Sequence, residues 1–97
     1  MEIKNIEKHK TIKIDTKNNV ALLTYSIKIL ASVKNREIEF SESLTKQILI
    51  EYDIKYIAEI EHTMYELERE IEQLIDNIKK FLNDLEFIAE NHGYEII

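Results

Sequence analysis

The sequence predicts an α+β chain: an N-terminal three-stranded antiparallel β-meander, then a short helix, then a long amphipathic, coiled-coil-like C-terminal helix. Three observations carry this. Residues 20–34, VALLTYSIKILASVK, place Ala21, Leu23, Tyr25, Ile27, Ile29, Ala31 and Val33 at a spacing of two, the period of a strand. From residue 57 onward the apolar period changes to alternating threes and fours, that of a helix. The one glycine, Gly93, closes that run, and there is no proline anywhere to interrupt it.

The first strand is expected around TIKID, through Ile12 and Ile14. DTKNN then reads as a turn, because Asn18 and Asn19 tolerate the left-handed conformation. Residues 20–34 also fit a helix in part, through Val20, Leu23, Ile27 and Leu30. Strand is preferred, since the alternation is longer and β-branched residues are common. KNR at 34–36 is a second polar break, and REIEFS alternates again through Ile38 and Phe40. On this register one face is apolar and the other wet, with His9, Thr11, Lys13, Ser26, Lys28, Ser32, Lys34, Glu37 and Glu39 exposed. Lys4, Lys8, Lys10 and Lys17 are placed on the N-terminal arm and the turn.

Ser41 and Ser43 are candidate helix caps, and everything from Leu44 to His92 reads as helix. A short helix near 44–52 presents Leu44, Ile48 and Tyr52, and the pattern changes near Asp53. Gly93 suits the left-handed residue after a helix end, with Tyr94 making the accompanying apolar contact. The tail YEII alternates and is a candidate short strand. The 97 residues make one domain: a β-meander over 1–42, a helical part over 43–93 and a tail over 94–97.

Ile57, Ile60, Met64, Leu67, Ile71, Leu74, Ile78, Phe81, Leu85 and Ile88 form a seam of a and d positions. A helix from 44 to 92 would be roughly 70 Å long, whereas a compact chain of this size has a radius of gyration of about 13 Å. The seam is therefore expected to be covered by a second copy, as a dimer, or by three further copies as a tetramer. Ile75, Leu82 and Ala89 at e positions widen the stripe, which suits a helix touching both a partner helix and its own sheet. The g-to-e′ pairs of a parallel coil include no opposite charges, so an antiparallel pair is favoured.

Composition narrows the chemistry. There is no cysteine, so disulfides and thiolate metal sites are excluded. MEIKNIEKHK lacks the apolar segment of a signal peptide, and no apolar run is long enough to cross a bilayer. The expectation is a soluble cytoplasmic protein with no membrane contact. A phosphate-cradling loop needs glycines that this chain lacks. Glu59 and His62 have the spacing of a carboxylate–histidine metal motif but fall at c and f, on the outer face, with no second motif. No nucleophile, base and orienting group fall together. No catalytic, cofactor-binding or metal-binding residue is assigned, and no enzyme activity is expected.

Charge separates the two halves. Residues 1–40 carry eight Lys/Arg and five Asp/Glu, net +3, and residues 41–97 carry five and fourteen, net −9. The acids Glu59, Glu61, Glu66, Glu68, Glu70, Glu72 and Asp76 crowd the middle of the helix, and Glu66–Glu70 and Glu68–Glu72 are like charges at i,i+4. They form a candidate surface for a basic protein partner, which suits a regulator or inhibitor. The small size and the Ile, Lys and Asn bias suit a phage or mobile-element protein. An alternative is a nucleic-acid-binding protein with contacts from Lys10, Lys13, Lys17, Lys28 and Lys34. A further one is a structural subunit whose YEII tail adds a strand to a neighbour.

Overall fold

The computed structural model describes residues 1–50 and 55–97. Three strands of equal length, β1 (Glu2–Asp15), β2 (Val20–Val33) and β3 (Arg36–Leu49), are followed by one helix, α1 (Lys55–His92). The sheet is an antiparallel meander in the order β1-β2-β3. This is the expected α+β architecture, with strands longer than the sequence suggested.

β2 is the spine. Ala21, Leu23, Tyr25, Ile27, Ile29, Ala31 and Val33, the seven residues at a spacing of two, are all buried. Each fully buried Leu or Ile contributes about 1.5–3 kcal/mol relative to exposure. The two hairpins use left-handed residues where the sequence allows them. Asn19 has φ 51°, while Lys34 and Asn35 have φ 50° and 65°. A hydrogen bond ties the β1–β2 hairpin to the end of β3: the Ile50 amide donates to the Asn19 carbonyl at 2.7 Å.

β1 begins at Glu2, well before TIKID, so Lys4, Lys8 and Lys10 lie within a strand and not on an arm. The pairing of β1 with β2 slips between Ile3 and Asn5. This bulge lets Ile3 and Ile6, three residues apart, both face inward beside Ala31 and Ile29. β3 is longer still. Residues 44–49 are strand, where a short helix was expected, and Ser41 and Ser43 are outer-face strand residues, not caps. The reason is packing: Leu44 and Ile48 lie opposite Tyr25 and Ala21 of β2, so strand period serves them as well as helical period. Tyr52 and the expected break at Asp53 lie outside the described residues.

α1 returns along β2 in the same direction. Tyr56, Ile60, Met64 and Leu67 pack with Ala21, Leu23 and Ile48. Ile71, Ile75, Ile78 and Leu82 pack with β2 from Tyr25 to Val33. Strands of 14 residues span about 46 Å, long enough to lie under most of a helix of about 57 Å. The molecule measures 59 × 20 × 18 Å, with a radius of gyration of 18.2 Å. The premise of a compact chain, from which a second copy was expected to cover the whole seam, is corrected: the chain is elongated, and its own sheet covers one helical face.

The covered face coincides only in part with the a/d seam: it takes in Leu67, Ile71 and Ile78 of the seam and Ile75, Leu82 and Ala89 at e positions. Leu67, Ile71, Ile75, Ile78, Leu82 and Ala89 are buried. Leu67 to Ile78, Ile71 to Leu82 and Ile78 to Ala89 are each eleven residues apart, a repeat of about 3.67 per turn. On a straight helix of about 3.6 residues per turn an eleven-residue stripe drifts by about 20° per eleven residues and a seven-residue seam by about 20° per seven, in the opposite sense, so the eleven-residue stripe stays nearer the sheet over the length of α1. The helix ends at Gly93, whose φ is 72°. Tyr94 stays exposed, and it is Ile96 that packs back on the core. The tail 94–97 forms no strand.

Candidate functional site

The ten seam residues are divided by the sheet. Leu67, Ile71 and Ile78 are buried in the chain's own core, so they are not free for self-association. Ile60, Met64 and Leu74 are half-buried and pack on the same core. Ile57 is 63% exposed, Phe81 52% and Ile88 47%, and Leu85 is half-buried. The second half of α1 carries a partly covered apolar strip of Leu74, Phe81, Leu85 and Ile88, in which Phe81 and Ile88 are exposed and Leu74 and Leu85 half-buried; Phe87, 63% exposed, stands apart from it.

That strip lies on the β3 side. The Phe81 ring meets the Phe40 ring of β3 edge-on, with centroids 6.2 Å apart and planes at 84°. Glu70, one helical flank residue further back, bonds to Lys46 of β3. The backbone of α1 approaches β2 and β3 and stays away from β1. On the β1 side this leaves a cavity of about 230 Å³ lined by Ile12, Leu23, Tyr25, Met64, Leu67 and the Lys10–Glu68 pair.

Four of the seven helix acids are taken up by the sheet. Lys10 donates to Glu68 at 2.6 Å and Lys8 to Glu72 at 2.8 Å. Lys46 donates to Glu70 at 2.9 Å and to Glu66 at 3.3 Å. Lys10 also lies 5.0 Å from the centre of the Tyr25 ring. The Met1 amino group meets the Glu86 carboxylate at the far end. The pairs Glu66–Glu70 and Glu68–Glu72 are thus each met by sheet ammonium groups, which offsets the repulsion within them.

These contacts perturb both partners. The hydrogen bond to Glu68 raises the Lys10 ammonium above its ordinary range. Glu72 does the same for Lys8, and Glu70 followed by Glu66 for Lys46. In return Lys46 holds the Glu66 carboxyl, and Lys8 the Glu72 carboxyl, below the usual carboxylate range. Glu59, Glu61 and Asp76 are exposed, and no ion pair among the described residues involves them. His62 contacts Glu66 at 2.9 Å, not Glu59. Among the described residues no group of three or more His, Asp or Glu side chains is arranged to hold a metal ion.

The five lysines considered for nucleic acid do not converge. Lys10 is held at the inner face by Glu68, and Lys28 on the outer face by Glu39 at 2.9 Å. Lys13 is on β1, Lys17 follows its end, and Lys34 sits in the hairpin at the opposite end of the sheet. The outer face is instead a grid of small hydroxyls, with Thr24 bonded to Thr45 and Ser26 to Ser43, each at 2.9 Å. The sequence reasoning missed Lys8 and Lys46 as partners of the helix. The available signal was their inward register position, next to Ile6 on β1 and between Leu44 and Ile48 on β3.

No described helix is long and apolar enough to cross a membrane. Compared with protein-family models, curated proteins and solved structures, the chain matches none.

Proposed function

We propose that this chain is a non-catalytic interaction protein that works as a self-associated pair and binds a basic protein partner as a regulator. The observation that carries the reading is the strip of Leu74, Phe81, Leu85 and Ile88. It is apolar, it is contiguous with Phe40 of β3, and Phe81 and Ile88 within it stay exposed, although Leu74 packs on the core. Contiguous exposed apolar surface of this kind is a mark of protein–protein contact. Of the seven mid-helix acids, Glu59, Glu61 and Asp76 are the ones exposed and in no ion pair among the described residues, and they are the proposed contacts for the partner.

Light scattering tests the pairing. The mass in solution at micromolar concentration is expected to be twice the 11.6 kDa of the chain. Phe81→Glu and Ile88→Glu are expected to give folded monomers, because neither side chain is needed by the core. Ile78→Glu, in contrast, is expected to unfold the chain, since it places a charge in a buried apolar cluster. A wild-type mass of one chain overturns the reading.

A further inference from the structure

We infer that a second copy of this chain closes the open edge of β3, related to the first by a two-fold axis that passes beside the Phe40–Phe81 contact. The inference rests on the self-association proposed above and assigns its geometry. β3 is an edge strand along its whole length, paired only with β2. Long unpaired edges invite another strand. The exposed apolar strip of α1 stands over that same edge, and Phe81 touches Phe40 there.

One rotation serves both layers. Strands pair about 4.8 Å apart. α1 rests on β2 and β3, so its axis lies about one strand spacing from a two-fold placed just outside β3. The rotation therefore brings the two helices to about 10 Å, the distance at which helices pack. The result is a six-stranded sheet with β3 antiparallel to its copy, covered on one face by two antiparallel helices.

Charge selects this direction. Glu70, Leu74, Asn77, Phe81, Asp84 and Ile88 succeed one another along the β3-side flank at gaps of four and three. With Phe81 facing its own copy, Leu74 meets Ile88 of the other chain, and Asn77 meets Asp84. A parallel pairing would instead set Asp84 against Asp84 and Glu70 against Glu70. The strands agree. With Phe40 facing its copy, Glu39 lies opposite Ser41 and Glu37 opposite Ser43, and no like charges are directly opposed. The interface is self-complementary, as a two-fold requires.

The chain has no cysteine, so introduced ones report without interference. In Asn77→Cys/Asp84→Cys the two thiols are about 10 Å apart along one helix, too far to join within a chain. Under oxidising conditions this double variant is expected to form a covalent dimer, while Asn77→Cys and Asp84→Cys alone are not. Glu37→Cys/Ser43→Cys provides the same test for the strand edge, with the two thiols about 20 Å apart along one strand. Cross-linking of either helix single variant to itself would mean a parallel pair and would overturn the inference. A wild-type mass of two chains with neither double variant cross-linking would also overturn it, while leaving self-association standing. A wild-type mass of one chain would remove both.

Discussion

Lys46 Nζ bridges Glu66 and Glu70, at 3.3 and 2.9 Å, reaching from β3 to two carboxylates one helical turn apart. On the other side of the helix, Lys8 and Lys10 meet Glu72 and Glu68. The geometry behind this is a coincidence of periods. Residues i and i+4 of a helix are about 6 Å apart along its axis, and residues i and i+2 of a strand are about 6.7 Å apart. Two lysines on one face of β1 therefore match two glutamates on one flank of α1. The acidic middle of the helix thus meets the lysines of both outer strands in register, on a position seated by the apolar core.

A charge swap tests that coupling. Lys10→Glu and Glu68→Lys are each expected to lower Tm slightly, by less than any core truncation, because both side chains are largely exposed. Lys10→Glu combined with Glu68→Lys is expected to recover part of the loss. The recovery stays incomplete, because the swap also removes the ammonium from the Tyr25 ring. Simple additivity of the two single effects in a thermal double-mutant cycle would show that the pair does not couple helix to sheet.

The eleven-residue stripe makes a sharper prediction. Leu82, at an e position of the seven-residue seam, is fully buried, whereas Ile57, at an a position, is 63% exposed. Leu82→Ala is expected to cost roughly 2–5 kcal/mol. Ile57→Ala is expected to cost within about 0.5 kcal/mol of nothing. Urea denaturation of the two variants decides the matter, and the reverse order would restore the seam as the buried face.

Legibility followed how cleanly each residue's position showed its period. The β2 face was readable because alternate apolar residues met no exception on the inward side. The first half of β1 was not, because the bulge near Lys4 puts Ile3 and Ile6 three apart on one face. The second half of β3 was not, because Glu42 and Lys46 occupy inward positions opposite Ile27 and Leu23 and break the alternation. Those residues sit on an edge strand, where a long side chain reaches past the core to water or to the helix. The helix was legible in extent, and its buried face was not. Heptad and eleven-residue templates share most positions over two or three turns, and only the length of β2 beneath it separates them. For the same reason the acids read as a docking surface: the lysines that meet four of them come from strands assigned elsewhere.

Stability should depend on pH at both extremes. Glu66 and Glu72 have folded values below their ordinary 4.5, and Asp15, bonded by Asn18, lies below its ordinary 3.8. Their contribution is present above those ordinary values and is lost as pH falls through the depressed ones. Lys8, Lys10 and Lys46 are raised above 10.5, so their contribution is complete below that value and is lost as pH rises through the raised ones. Tm is expected to be flat between these limits and to fall outside them. Lys46→Met should shrink the acid-side fall, since it removes the main influence on Glu66. An acid limb unchanged in that variant would place the dependence elsewhere.

The β2–β3 hairpin offers a stabilising change. Val33 pairs with Arg36, so Lys34 and Asn35 are a two-residue loop, and both have positive φ, at 50° and 65°. A turn with two left-handed residues is best served by Asn followed by Gly. Lysine in this conformation is strained by contact between Cβ and the following carbonyl. Lys34→Asn together with Asn35→Gly is expected to stabilise the chain by about 1 kcal/mol. Lys34→Val is expected to destabilise it by a similar amount, because a β-branched side chain is least tolerated at positive φ. In urea the midpoint should move in opposite directions for the two variants at unchanged slope. A midpoint that ignores Lys34→Val would mean that the hairpin is not closed by this turn, and the register of β3 against β2 would then need another origin.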